Sequence, residues 1–103
     1  MSGSILTISL CLLPATIQAQ ETTAPPSFRQ EVMAALSKAG CNMGTCHGNA
    51  NGKGNLKLSL RGQDPDIDFQ TLTRQLAGRR ISPLTPDDSL LLKKPLMEIP
   101  HEG

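Results

Sequence analysis

The chain has no tryptophan and no tyrosine, and Phe28 and Phe69 are its only phenylalanines. So small a stock of rings leaves little material for an apolar interior, and a chain of 103 residues buries a modest fraction of its surface in any case. A domain of this kind needs a staple or a cofactor. A large apolar cofactor would supply the missing interior; a piece of a longer protein would show the same deficit. An excess of charge is lacking too, since ten Lys and Arg stand against nine Asp and Glu, a net +1. That removes the electrostatic case for nucleic acid or for an acidic membrane surface. The pairs Arg79-Arg80 and Lys93-Lys94 read as solvated surface. A membrane span is also missing, because the most apolar run, residues 5–13, falls well short of the ~20 residues needed to cross a bilayer.

What that run resembles instead is the centre of a secretory signal peptide. Residues 1–19 carry no charged side chain, Pro14 breaks the run, and Ile17 and Ala19 can define a cleavage point. The positive side chain usual at the start is absent, leaving only the terminal amine. A lipidated Cys11 is disfavoured by Leu10, which stands where a small residue is wanted. The expected organisation is a signal peptide over 1–19, a Pro- and Thr-rich linker over 20–27, and one small, mostly α-helical domain over 28–103. Removal of the leader reduces the cysteines to Cys41 and Cys46. In an oxidising compartment free thiols are unusual, so these two should be bonded to each other, to a metal or to a cofactor.

Periodicity predicts a first helix over 28–39, with Phe28, Val32, Ala35, Leu36 and Ala39 on one face. Ser27 is placed as its N-cap, Gln30 completes a capping box, and Gly40 is a natural end. The helix therefore delivers the chain straight into Cys41. Residues 48–55, GNANGKGN, read as a loop with an Asn51-Gly52 turn; the pattern fails phosphate-loop spacing. Residues 56–60, LKLSL, alternate as a short extended segment. Asp66 can cap a second helix whose buried side is Ile67, Phe69, Leu72, Leu76 and Ala77, ended by Gly78. Thr85 and Pro86 can start a third, with Asp87 and Asp88 at its positive end and Lys93 and Lys94 at its negative end. From Pro95 on only PLMEIPHEG remains, with no closing helix.

The chemistry concentrates in GCNMGTCHG, residues 40–48. Covalent haem attachment uses all three reactive residues: two thiols form thioethers with the haem vinyl groups, and the next residue, His47, reaches the iron. The usual spacing is C-x-x-C-H. Here the spacer is Asn42-Met43-Gly44-Thr45, which can serve if the extra residues loop outward, and Gly44 relaxes the backbone there. A Cys41–Cys46 disulfide suits an exported chain but leaves the adjacency of His47 as coincidence. A zinc site from Cys41, Cys46, His47 and His101 would need four convergent ligands, and adjacent Cys46 and His47 chelate awkwardly. A Cys46/His47 nucleophile and base would need a reduced, exposed thiol.

CNMGTCHGNANGKGNLKLSLRG followed by ISPLTPDDSLLLKKP resembles the cytochrome c module of large planctomycete-type exported proteins. Those modules combine a cysteine pair ending in CHG, a K-G-x-L-x-L stretch and a P-x-x-S-L-L helix. The likeness covers roughly residues 28–103. It implies a cytochrome-c-like helical fold without its closing helix, Cys41 and Cys46 as haem thioethers, and His47 as proximal axial iron ligand. It implies one-electron transfer in the periplasm or cell envelope, with a redox partner protein or fused downstream domains, and a carrier that is not itself an enzyme. The chain would then be the head of a longer protein or a truncated fragment. Related modules tend to carry Met-Pro near the end, where Ile99-Pro100 stands here, and Ile cannot ligate. The flanking candidates for the distal ligand are His101, slightly preferred, and Met97. Their ordinary readings are a solvated terminal residue for His101 and core packing beside Leu96 for Met97. Met43, inside the attachment loop, is a poor distal candidate.

Overall fold

The computed structural model describes Glu21 and residues 24–101. The expected signal peptide, with Cys11 in it, lies outside the described residues. The described residues are mostly helical, and they contain no strand; an isolated antiparallel bridge joins Lys53 to Leu56. No helix among them is long and apolar enough to cross a membrane.

The first helix opens as a π turn, Phe28–Val32, and continues as α1, Met33–Lys38. Ser27 precedes it in extended backbone, as an N-cap does, but its hydroxyl makes no capping bond. Its N–H donates instead to the Glu31 carboxylate. The reciprocal partner expected at Gln30 is thus one residue further on, because the wider π turn moves the reach of the side chain by one position. The C-terminal end matches expectation. Gly40 adopts φ +81°, its N–H donates to Ser37 O at 3.1 Å, and the Cys41 N–H donates to Leu36 O at 2.9 Å. This pair of bonds is a Schellman closure, which glycine accommodates without the Cβ penalty.

The second helix, α2, spans Pro65–Thr73. Its cap is Asp64, whose carboxylate accepts the Ile67 N–H at 3.1 Å, and not Asp66. Pro65 prefers the first helical position, which puts the cap immediately before it. Asp66 reaches across to Arg29 in an exposed ion pair. Of the expected buried side only Leu72 is buried; Asp68 and Thr71 join it, while Ile67, Phe69 and Leu76 are exposed. Phe69 packs edge-on against Phe28, with ring centres 5.1 Å apart. Leu76 and Ala77 fall outside the helix, in a tight turn Gln75–Gly78 where both take φ +54°.

The third stretch divides. Thr85 and Pro86 start a single 3₁₀ turn, Pro86–Asp88, and α3 covers only Leu90–Lys93. Between them Ser89 is extended and buried, and its hydroxyl accepts the Ser82 N–H at 2.8 Å. The Lys93 ammonium, 2.9 Å from Asp88, ties the two pieces and holds that carboxyl below its ordinary pKa.

Met33, Leu58 and Leu72 are the buried large apolar side chains among the described residues. The rest of the interior is polar: Asn42, Asp68, Thr71, Arg80 and Ser89. Arg80 corrects the expectation of a solvated Arg79-Arg80 pair. Its guanidinium is buried and donates to the carbonyls of Thr71 and Asn55, each at 2.7 Å, pinning α2 to the loop after the cysteines. Burial lowers its pKa, and the Arg79 charge adds to that. Asp68, fully buried, accepts the Ser59 N–H at 2.6 Å and the Ser59 hydroxyl at 2.7 Å. That hydroxyl in turn accepts the Asp64 N–H at 2.9 Å, so one carboxylate holds the extended segment against the start of α2.

Bonds to a buried carboxylate are worth roughly 1.5–3 kcal/mol each way of accounting, and stranding the Ser59 donors adds their desolvation. Asp68→Ala is therefore expected to lower unfolding stability by about 3 kcal/mol and Asp68→Asn by about half of that, read from urea midpoints followed by circular dichroism.

Candidate functional site

The Schellman closure of α1 sets Cys41 at a fixed point just beyond the helix. From there the chain makes a compact loop. The Met43 carbonyl accepts the N–H groups of Cys46 at 3.0 Å and Gly48 at 2.9 Å, and the Cys41 carbonyl accepts the His47 N–H at 3.0 Å. Cys41, Cys46 and His47 are thereby brought together on one loop, each half-buried, and neither thiol is joined to another cysteine. Of the four spacer residues, Met43, Gly44 and Thr45 point outward as expected, but Asn42 turns in. Its side-chain amide donates to Ser37 Oγ at 2.8 Å, its carbonyl accepts the Arg61 N–H at 3.0 Å, and its Oδ1 is buried with no partner among the described residues.

Gly48 is required by space. A Cβ there would lie 2.0 Å from the Asn42 carbonyl oxygen, inside any permitted contact. The glycine of CHG lets the chain leave His47 while passing directly against the start of the loop.

The segment after Gly48 has a job that its composition did not announce. Lys53 and Leu56 exchange both backbone hydrogen bonds, each at 3.0 Å, around Gly54 and Asn55. Those two central residues take φ +58° and +61°, as a type I′ turn requires and as Gly and Asn tolerate best. The carbonyls of this small bridge converge on His47 Nδ1, from Lys53 at 2.9 Å and from Leu56 at 3.0 Å. Both partners are acceptors, so Nδ1 carries a proton, and Nε2 is the ring nitrogen not engaged by them. The His47 carbonyl accepts the Leu58 N–H at 2.8 Å, and Leu58 is buried. Ring, N–H and C=O of His47 are all held.

Burial pushes the Cys41 thiol above its ordinary pKa; a backbone hydrogen bond opposes this, and the neighbouring Cys46 adds to it. His101 is half-buried, and its ring lies near that of His47, centres 6.1 Å apart and planes 23° apart. Met97 and Leu96 are each 66% exposed, which corrects the expectation that they pack in the core. Among the described residues no three His, Cys, Asp or Glu side chains converge as a metal-holding group. The residues missed by sequence reasoning are Asn42, turned inward, and the carbonyls of Lys53 and Leu56. The K-G-N-L turn was their one visible signal.

No protein-family model, no curated protein and no solved structure matches the chain.

Two outcomes follow from this geometry. Gly48→Ala must push backbone apart and is expected to cost at least ~2 kcal/mol, whereas Gly54→Ala, whose Cβ meets nothing within 4 Å, pays only the left-handed penalty of ~1–2 kcal/mol. Denaturation of the two purified variants gives the comparison. Folding disfavours the Cys41 thiolate, so the contribution of this group to stability is fully present below the ordinary thiol pKa of about 8.5 and is lost as pH rises through the higher folded value. Cys41→Ala is expected to flatten that alkaline limb in urea midpoints measured across pH.

Proposed function

We propose that the chain binds haem c covalently through Cys41 and Cys46, with His47 as proximal iron ligand, and carries single electrons outside the cytoplasm. The observation that carries this reading is the His47 ring, fixed by two carbonyls in the tautomer that presents Nε2 to a metal. A carbonyl behind the imidazole is the arrangement that orients a ligating histidine and raises its basicity. The donor set fits the group. Two unpaired thiols precede the histidine on one hydrogen-bonded loop, and attachment needs them reduced. Each S–H adds across a vinyl double bond, sulfur to one carbon and hydrogen to the other, with no leaving group and no oxidant.

The chain's own contribution is placement. The Schellman turn sets Cys41, the Met43 carbonyl sets Cys46, and Gly48 allows the tight exit that brings Lys53 and Leu56 behind the ring. Bound haem supplies a ferric/ferrous couple that exchanges one electron with a redox partner protein or a fused domain. The reading describes a cytochrome-c-like carrier and not an enzyme in its own right. Location in the periplasm or cell envelope rests on the leader-like residues 1–19.

Expressed in a periplasm together with a cytochrome c maturation system, the protein is expected to be red, to show a Soret band, and to keep its haem through denaturing electrophoresis. His47→Ala is expected to retain thioether-bound haem and lose the low-spin spectrum. A colourless product lighter than the reduced chain by two hydrogens overturns the reading in favour of a Cys41–Cys46 disulfide.

A further inference from the structure

We propose that His101 is the second axial ligand, so that the iron sits between two imidazoles. The inference rests on the haem reading above and deepens it. Its basis is the placement of the His101 ring, centred 6.1 Å from that of His47 with planes only 23° apart. Two imidazoles that share one metal, each through a nitrogen at ~2.0–2.1 Å, have ring centres roughly 6 Å apart. His47 has its Nδ1 engaged by Lys53 and Leu56, which leaves Nε2 as its free donor.

The end of the chain is shaped to bring His101 there. Beyond α3 the N–H groups of Met97, Glu98 and Ile99 return to the carbonyls of Lys94 and Lys93, at 3.0, 2.9 and 3.3 Å. Met97 takes φ +61°, a left-handed conformation that costs a non-glycine residue roughly 1 kcal/mol or more and persists only where the surroundings enforce it. This reversal sends Ile99, Pro100 and His101 toward the attachment loop. Pro100 fixes its own φ, so the approach to His101 is stiff. The same reversal turns Met97 outward: it is 66% exposed and is the residue that makes the turn, not the one the turn delivers. Two imidazoles set a lower reduction potential than a histidine and a methionine would. They also leave no open coordination position, which fits a carrier of electrons and not a binder of small gases.

The test uses the full, matured protein and its variants, with covalent haem quantified in each by haem staining and pyridine haemochrome. The wild type is expected to be low-spin in both oxidation states. Its electron paramagnetic resonance and near-infrared magnetic circular dichroism should be of the bis-imidazole type, with no sulfur-to-iron band. Met97→Leu is expected to leave these spectra unchanged. His101→Ala is expected to keep the wild-type haem stoichiometry, turn high-spin, bind carbon monoxide stoichiometrically where the wild type binds none, and recover the bis-imidazole spectrum on addition of free imidazole. His101→Met is expected to shift the reduction potential upward. Covalent haem whose spectrum His101→Ala does not move, or a sulfur-to-iron band lost in Met97→Leu, overturns this assignment alone. A wild type with no covalent haem overturns the attachment reading and this one with it. If His101→Ala fails to fold, the wild-type resonance and dichroism spectra decide by themselves.

Discussion

A single proton on His47 Nδ1, shared between the carbonyls of Lys53 and Leu56, is the interaction on which the site depends. It determines which ring nitrogen is free, and it determines where the residue 49–58 segment must run. Those carbonyls face the ring because Lys53 and Leu56 are already bonded to each other across a tight turn. That turn closes because Gly54 and Asn55 tolerate positive φ. Two residues later Leu58 enters the interior while its N–H takes the His47 carbonyl. The K-G-N-L-K-L sequence is therefore one device, a turn, a pair of acceptors and an anchor, built around the histidine that precedes it.

The interior that surrounds this device is held by hydrogen bonds more than by apolar packing. The three large apolar side chains buried among the described residues, even at roughly 1.5–3 kcal/mol each, supply little against the cost of ordering some eighty residues. Asp68 and Arg80 do the joining instead, each serving acceptors or donors on segments far apart in the chain. Such groups fix geometry well, because a misplaced partner leaves a buried charge unsatisfied. They add less net stability than an apolar core of the same volume. The result is a scaffold that specifies the position of its loop closely while resting on a thin apolar base.

This division explains what could be read from the residues alone. The end of α1 was legible, because Gly40 before Cys41 leaves the chain few alternatives, and so was the gathering of Cys41, Cys46 and His47, which are neighbours in sequence. The helical class was legible from periodicity. Ser27 and Thr85 hold the cap positions expected of them, but two capping partners were displaced, by one residue at Gln30/Glu31 and by two at Asp66/Asp64, because a π turn and an N1 proline shift the geometry without changing the composition. The buried face of α2 was misread because apolar residues were assumed to face inward, whereas the interior partner across from it is Ser59, which selects Asp68. Arg80 looked like surface for the same reason: its two acceptors come from residues 9 and 25 positions away and leave no local trace. The His47 acceptors are backbone atoms, invisible in any list of side chains.

Under the haem reading the thin apolar base acquires a purpose. Leu92, Leu96 and Met97 stand exposed on the stretch that leads to His101, and Met43 on the attachment loop is exposed as well. A large, flat, apolar group tethered at Cys41 and Cys46 and gripped by His47 would draw on those side chains for its cover. Its attachment would then contribute to folding as well as to function, since a group that binds the folded chain stabilises it by mass action, and a covalent one cannot dissociate. The scarcity of aromatic residues and the precise hold on one imidazole are, on that view, two sides of the same economy: the chain specifies where the cofactor sits and leaves much of the apolar volume to the cofactor itself.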